Sequence, residues 1–547
     1  MRLNRILKDT RGLATFIALM IMIMLMMVGV AALKLADDEI NIAGNELNEM
    51  SSFYAAEAGL ERACASIQAQ YEATGAPPTT LPSGNETLDD CIFAYNTTDN
   101  GAATQRTLAL GTLAGLHALV KTYTVTSMGI SQVDNSQITL NQAFECALIP
   151  LFQFAVFYGN DLEMAPGNDM TLIGRVHSNG SLWLQAGTSL YMESYVTCSG
   201  NLLHGRKGPG TVDNGGVYVK NAGGVYQNMK NTDGSFLEST DSHWYDSASS
   251  RWSGRVQDAA FGQTELNLPL NSAGDPHKII ERASGNSDSY ENLASLKIIK
   301  GAAYYQIGSS WTNITALLPA GTISANSFYD KREGTYVNST DIDISKLKTS
   351  IYYPSGGVIY ASDQRSGTYN ALRIVGGSDL GAPLSIFSEN PMYVKGDFNT
   401  VTKQPAALAA DAVTFLSNNW SDARSHPDTA LSKRQATQTT CNASIMTGNV
   451  NTTSSNYNGG LENLPRFLED WKYANIKFIF SGSLVNLWNS QQATSPWSYG
   501  GYYTAPVREW SYDTALDDPT KLPPKTPVIR VFQRPRWQQA QVGYAQQ

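Results

Sequence analysis

The chain opens on basic, polar text and then turns apolar: from Leu13 to Leu33 no residue carries a charge. As a helix that run is about 31 Å long, the depth of a bilayer's hydrocarbon layer. The next stretch, Asp37 to Tyr71, has no proline and only two glycines. Its apolar positions recur at helical spacing: Ile40, Ala43, Leu47, Met50, Tyr54, Ala58, then Leu60, Cys64, Ile67 and Tyr71. Together the two stretches predict one helix over 13–72, about 90 Å long, greasy all round in its first half and amphipathic in its second. Residues 73–110 are rich in Pro, Gly, Thr, Asn and Asp and break the pattern. Strand alternation starts near Ala118 (ALVKTYTVTSMGI, then SQITLNQAFECALI), so 73–150 reads as a linker and a small β module able to cover the amphipathic half of the helix.

From about Phe154 the pattern repeats. DLEMAPGNDMTLIGRVHSNG (161–180) aligns without a gap on SLWLQAGTSLYMESYVTCSG (181–200), matching Leu162 with Leu182, Met170 with Leu190 and Val176 with Val196. Val156 sits one period earlier, and Asn201-Leu202-Leu203 begins a third copy. A 20-residue period of short strands broken by Gly/Asn/Ser turns suits one coil of a β-solenoid, over 151–225. GRKGPGTVDNGG, after His204, reads as a loop insertion. Residues 226–350 are polar and mixed and read as an insertion, part β. Strand-turn texture returns over 351–422 (GVIYAS, ALRIVGG, PLSIF, NPMYVKGDFN), a continuation of the solenoid. Residues 423–547 read as a long loop, a short helix at LENLPRFLEDW, a strand or strand pair at IKFIFSGSLVNLW and an aromatic, Pro-rich extended strap.

Composition narrows the class. At 547 residues the chain is too long for one ordinary core. Charged residues are 16% of it, while Gly and Tyr are plentiful, as in extracytoplasmic β-rich proteins. A net charge of -9 gives nucleic acid no basic face to bind. The five cysteines (Cys64, Cys91, Cys146, Cys198, Cys441) lack metal-site spacing, and a bridge from Cys64 to Cys91 or Cys146 is the expected pairing if the compartment oxidises.

Arg2, Arg5, Lys8 and Arg11 precede the apolar run and the acids Asp37, Asp38 and Glu39 follow it, which predicts a cytoplasmic N-terminus with the rest of the chain across the membrane. The run is too long for a signal-peptide core, and Lys34-Leu35-Ala36 is a poor cleavage site. A basic leader (1–12) ending at Arg11-Gly12, then Ala18-Leu19, Gly29-Val30-Ala31-Ala32-Leu33 and Tyr54-Ala55-Ala56-Glu57-Ala58-Gly59-Leu60, resembles the type IV pilin superfamily, and looks most like PilX-type minor pilins and the tip pseudopilins of type II secretion. The resemblance implies a prepilin peptidase cut between Gly12 and Leu13 and methylation of the new N-terminus. It further implies a membrane and filament surface that includes Phe16, Ile17, Leu19, Met20, Leu25, Val28 and Leu33, with other pilins and the assembly platform as partners. Major pilins carry glutamate at the fifth mature position; here it is Ile17, which suits a minor or tip subunit. The body also resembles large PilX-like bacterial envelope proteins, through DLEMAPGNDMTLIGRVHSNG, NPMYVKGDFNT and GGLENLPRFLEDW.

Chemistry-bearing patterns are sparse. No His pair has metal spacing, and there is no G-x-S-x-G elbow, P-loop or G-x-G-x-x-G. His177, in the turn Val176–Gly180 beside Arg175, reads as an inter-coil hydrogen-bonding residue more than as part of a groove. Asp161, Glu163, Asn168 and Asp169 read as turn residues before they read as a calcium site. Asp341 with Asp343 and Asp517 with Asp518 read as loop and turn acids; Tyr499, Tyr502 and Tyr503 are the best candidates for an exposed adhesive patch, although aromatic ladders in a solenoid core explain the Trp and Tyr content as well. The expected class is α+β, mostly β: a long transmembrane helix, a small sheet and a β-solenoid-like head with insertions. The expected role is a non-catalytic minor-pilin or pseudopilin-like subunit of the inner membrane, without cofactor or metal; an anchored adhesin or glycan-binding protein is the alternative.

Overall fold

A computed structural model describes residues 10–271, 274–366, 369–458, 460–498, 500–535 and 537–540. The chain divides into two compact units, one of residues 1–103, 121–146 and 532–547, the other of 104–120 and 147–531. The cuts at 120/121 and 146/147 fall inside two strands, His117–Ser131 and Gln137–Pro150.

The first unit is a helix on a sheet. The helix runs unbroken from Thr10 to Thr74, about 98 Å, because no proline interrupts it and most of its positions are good helix formers. It ends where Gly75 takes a left-handed φ of 67° and its N–H returns to the Tyr71 carbonyl at 2.9 Å, with Pro77 and Pro78 unable to extend it. The sheet orders Ser83–Leu88, Cys91–Asp99, His117–Ser131 and Gln137–Pro150 as neighbours, and Trp537–Gln539 joins the last, with Trp537 opposite Gln142. Ala55, Ala56, Leu60, Ala63, Ile67 and Tyr71 are buried, one stripe along the end of the helix. Small residues let the two layers come close. A Cβ on Gly129 would stand 2.7 Å from the Ala56 nitrogen, and one on Gly59 3.1 Å from the Phe93 ring. Ser52 fastens the margin, its hydroxyl donating to the Ser136 carbonyl at 3.0 Å.

The second unit is a stack of parallel strands on three sides. On the first side, ten strands lie in parallel order from Val256–Gln257 through Val196–Cys198, Arg175–Ser178, Phe154–Tyr158, Leu484–Asn486, Ser444–Thr447, Ala406–Ala410, Leu384–Ser388 and Val358–Ser362 to Leu296–Ile299, and the hairpin Ala302–Ile307/Ser310–Asn313 finishes the sheet. The repeat seen in the sequence reappears as register: Leu182 pairs with Leu162 and Leu202, Leu190 with Met170, and Val176 with Val156 and Val196. Each coil turns its Leu, Val and Met side chains into one shared core.

The order of strands shows a path that the sequence hides. The chain starts in mid-stack at Phe154, climbs to Val256, crosses back through about 263–294, restarts at Leu296 and returns to lay Leu484–Asn486 against Val156–Tyr158. The crossover covers the outer face of the first side: Leu268, Ile279 and Ile280 pack with Phe154, Phe157, Tyr360, Phe387, Met446 and Val485. With both faces covered, these strands are buried at every position and mostly apolar, as in FAVFY, VIYAS and LSIFS. The two ends of the longer segment of the unit, 147–531, also meet, the Leu151 N–H donating to the Pro527 carbonyl at 2.8 Å.

Residues 226–350, expected as one insertion, therefore serve three parts: the last coil of the first arm with its helix Trp244–Trp252, the crossover, and the first strands of the second arm. The helix expected at LENLPRFLEDW is a 3-10 turn, Leu461–Asn463, and an edge strand, Pro465–Phe467, in which Pro465 lies opposite Val413. Its helical spacing of apolar residues is overridden by the free ladder of the neighbouring strand, and an edge tolerates proline. The expected long loop and strap contain strands too, Thr439–Asn442 and Ser444–Thr447, then Val507–Tyr512 parallel to Lys477–Gly482.

Gly129→Ala forces a methyl group into the helix backbone. It is expected to destabilise the first unit by about 1–3 kcal/mol, read as faster amide exchange in Ala55–Tyr71 and in Cys91–Asp99 while the 20-residue coils keep their protection.

Candidate functional site

The helix itself is the strongest candidate. Its docked half is fixed by the sheet; residues 12–43 are exposed throughout. Phe16, Ile17, Leu19, Met20, Leu25, Val28 and Leu33 are all exposed, from 48% at Ile17 to 68% at Leu33, and so is every other large apolar side chain from Leu13 onward in that run. No residue of the apolar window is buried, so it is not a core helix of this chain. Fifteen large hydrophobic side chains lie bare between Leu13 and Leu33, and covering them is worth on the order of 30 kcal/mol. A stable molecule leaves that surface to a membrane or to other helices.

Gly12 and Leu13 lie in the first turns of the helix, where the Thr15 hydroxyl donates to the Gly12 carbonyl at 3.0 Å and a Cβ on Gly12 would meet nothing within 4 Å. Arg2, Arg5 and Lys8 lie outside the described residues. Beyond the apolar run, Lys34 and the acids Asp37, Asp38, Glu39, Glu46 and Glu49 are exposed. Where the helix meets the sheet, a groove of about 270 Å³ opens between Leu47, Ser51 and Tyr54 on one wall and Leu88, Asp89 and Val133 on the other.

The structure places the other sequence candidates elsewhere. His177 is buried between coils, its Nδ1 2.8 Å from Thr197 Oγ1 and its Nε2 3.0 Å from Asn179 Oδ1. Asn179 in turn accepts from the Leu266 N–H at 2.8 Å and donates to the Leu266 carbonyl at 3.1 Å, clasping the crossover. Arg175 donates to the carbonyls of Thr112 and Ala114 and stacks on Tyr195, so it lines no groove. Asp161 pairs with Lys207 at 2.6 Å, and Glu163 accepts from the Lys207 N–H at 3.0 Å. Among the described residues no three His, Cys, Asp or Glu side chains gather as metal ligands.

Three expectations are corrected. Asp341 is no loop acid: it lies buried on the strand Thr335–Asp343 and receives Arg373 at 2.6 Å, while Arg373 also holds Asp422 at 2.7 Å. Arg373 needs both carboxylates because a buried guanidinium left unpaired is costly. Asp343 caps the short helix Ile344–Leu347, Asp517 accepts from the Tyr512 hydroxyl at 2.8 Å, and Asp518 caps the turn Pro519–Lys521. Tyr502 and Tyr503 are no exposed patch; they stack on each other in the interior, with the Tyr503 hydroxyl donating to Asn463 Oδ1 at 2.6 Å. Tyr499 lies outside the described residues. All five cysteines are unpaired and buried, so the bridge from Cys64 is absent, and burial pushes the Cys146 thiol up to about 12.

One feature had no signal in the sequence beyond two Pro-containing turns. On the third side, Met170–Leu172 and Val507–Tyr512 are each the last strand of a sheet, and they run side by side unpaired. They are wedged tight at one end, where a Cβ on Gly174 would stand 2.9 Å from the Tyr512 ring. At the other end they open into a cleft of about 490 Å³ that includes Asn168, Asp169, Lys472, Asn475 and Arg508.

No protein-family model matches the chain, and no curated protein matches it. Among solved structures, the competence-associated pilin ComZ from Thermus thermophilus aligns with 90% of this chain and 97% of its own at 12% identity and a TM-score of 0.27, a likeness too loose to assign a shared fold.

Burial pushes His177 down to about 4, against a weaker opposing pull from Asn179. The folded chain thus takes up that proton less readily than the unfolded one. Stability from this residue is full above about pH 6.5 and is lost as pH falls toward about 4, by up to about 3 kcal/mol. His177→Gln is expected to flatten that part of the curve when denaturation midpoints are compared between pH 7 and pH 4.

Proposed function

We propose that the chain is a pilin-like structural subunit of the PilX-type minor class, cut after Gly12 by prepilin peptidase and methylated at Leu13. Its helix rests in the inner membrane with the remainder outside the cytoplasm, and is drawn into a type IV pilus or a secretion pseudopilus by packing against other pilins. The head is a β-solenoid, and the role is one of assembly and presentation, without catalysis. The observation that carries this reading is the single unbroken helix, bare over its apolar half and clamped into a sheet over its other half. An ordinary anchor needs only a span and a tether. A rod continuous from the membrane segment into the small sheet carries both as one element, which suits a subunit lifted out of the bilayer into a fibre.

Ile17 in place of a glutamate supports the minor or tip assignment. An unpartnered carboxylate at that depth is expensive, and its usual service is to dock one subunit on the next. The basic leader supports the orientation.

The test is the mature N-terminus. Mass spectrometry of protein from native membranes is expected to show N-methylated Leu13, and Gly12→Val is expected to retain the leader and leave the sheared surface-filament fraction. An intact Met1 on the membrane-bound protein, or a Gly12→Val chain of unchanged mature mass, overturns the reading.

A further inference from the structure

We propose that the cleft between Met170–Leu172 and Val507–Tyr512 binds an acidic sugar unit of a polysaccharide, a ring carrying a carboxylate or a sulfate. The cleft belongs wholly to the second unit and does not depend on what becomes of the helix. At about 490 Å³ it is in the range of built ligand pockets and far larger than a lone anion needs.

Arg508 is the anchor. Its Nη2 donates to the Glu462 carbonyl at 2.8 Å and its guanidinium lies 5.5 Å from the Trp510 ring, so the group is held in place. Its Nε is buried and finds no acceptor in the structure. A guanidinium held in place at the wall of a cleft is the group that reads carboxylate or sulfate oxygens. Lys472 adds a second positive charge from the turn Lys472–Ala474, and its backbone N–H is fixed by the Thr504 hydroxyl at 2.8 Å.

Asp169 and the amides of Asn168 and Asn475 face the same space. A carboxylate there opposes a bare dianion but accepts hydroxyl protons, and amides both donate and accept, the set that a polyhydroxylated ring requires. Pro166, Met170 and Pro506 supply an apolar surface for the ring's C–H face. The wedge is shut at Gly174 and open at the opposite end, which admits one unit of a chain whose remainder stays outside.

Isothermal titration of the full chain in detergent separates the outcomes. Hexamers of galacturonate and of chondroitin sulfate are the two anionic probes, and maltohexaose is the neutral one. At least one acidic hexamer is expected to bind, and maltohexaose at least about tenfold more weakly. Because chondroitin sulfate also carries a uronate carboxylate, tighter binding of oligogalacturonate assigns the carboxylate, and loss of chondroitin binding when desulfated chondroitin of the same length is used assigns the sulfate. Arg508→Gln and Lys472→Gln are each expected to weaken binding about tenfold, the loss of one charged contact. Lys472 is exposed and its fixing bond is made by its backbone, so its variant keeps the fold even if Arg508→Gln does not. The proposal is overturned if neither acidic hexamer binds, if maltohexaose binds as tightly, or if Lys472→Gln leaves the affinity unchanged.

Discussion

A ladder three residues long joins the two arms of the parallel stack: Leu484, Val485 and Asn486 lie opposite Val156, Phe157 and Tyr158. Everything in the second unit depends on that closure, because neither arm can end there alone without baring core side chains and an open strand edge. The surrounding bonds concentrate on it. Ser483 Oγ donates to the Phe154 carbonyl at 2.6 Å, the Gly159 N–H donates to the Asn486 carbonyl at 2.7 Å, and the Asn486 amide donates to the carbonyls of Thr447 and Trp488 at 2.9 Å each. The bonds that cross the seam span more than three hundred residues of sequence, 329 between Ser483 and Phe154. Such a contact forms late and slowly, since its loop-closure entropy comes due before any of its reward.

The first unit obeys the opposite logic. Its long helix is local in its backbone hydrogen bonds and needs no distant partner to form, yet its apolar half has no cover within the described residues. One unit is finished by its own sequence, and the other is left for its surroundings to complete. That asymmetry is why the proposed role rests on the helix, and why the head's chemistry has to be sought in the stack.

How much of this was legible depends on how local each signal was. The membrane-length run and the amphipathic spacing to Tyr71 identify the helix outright, because length and periodicity are properties of the segment itself. The 20-residue repeat at 161–200 was legible because strands paired in space are neighbours in sequence at a constant step, so that Leu162 announces Leu182. The second arm resists the same reading. Ile359 pairs with Ile386, Leu384 with Ala406 and Ala407 with Ser444, so the step drifts and lengthens as loops grow at the corners. Burial was the least visible quantity. Asp341 and Tyr503 look like surface residues until Arg373 and Asn463 are seen to satisfy them, and the cleft beside Arg508 is assembled from segments hundreds of residues apart.

The meeting of Leu151 with Pro527 makes the stack a cassette. The small sheet is completed by strands that come before and after nearly the whole of it in sequence, Gln137–Pro150 and Trp537–Gln539. A segment that leaves and returns at neighbouring points can grow or shrink between them while the strands outside it keep their register.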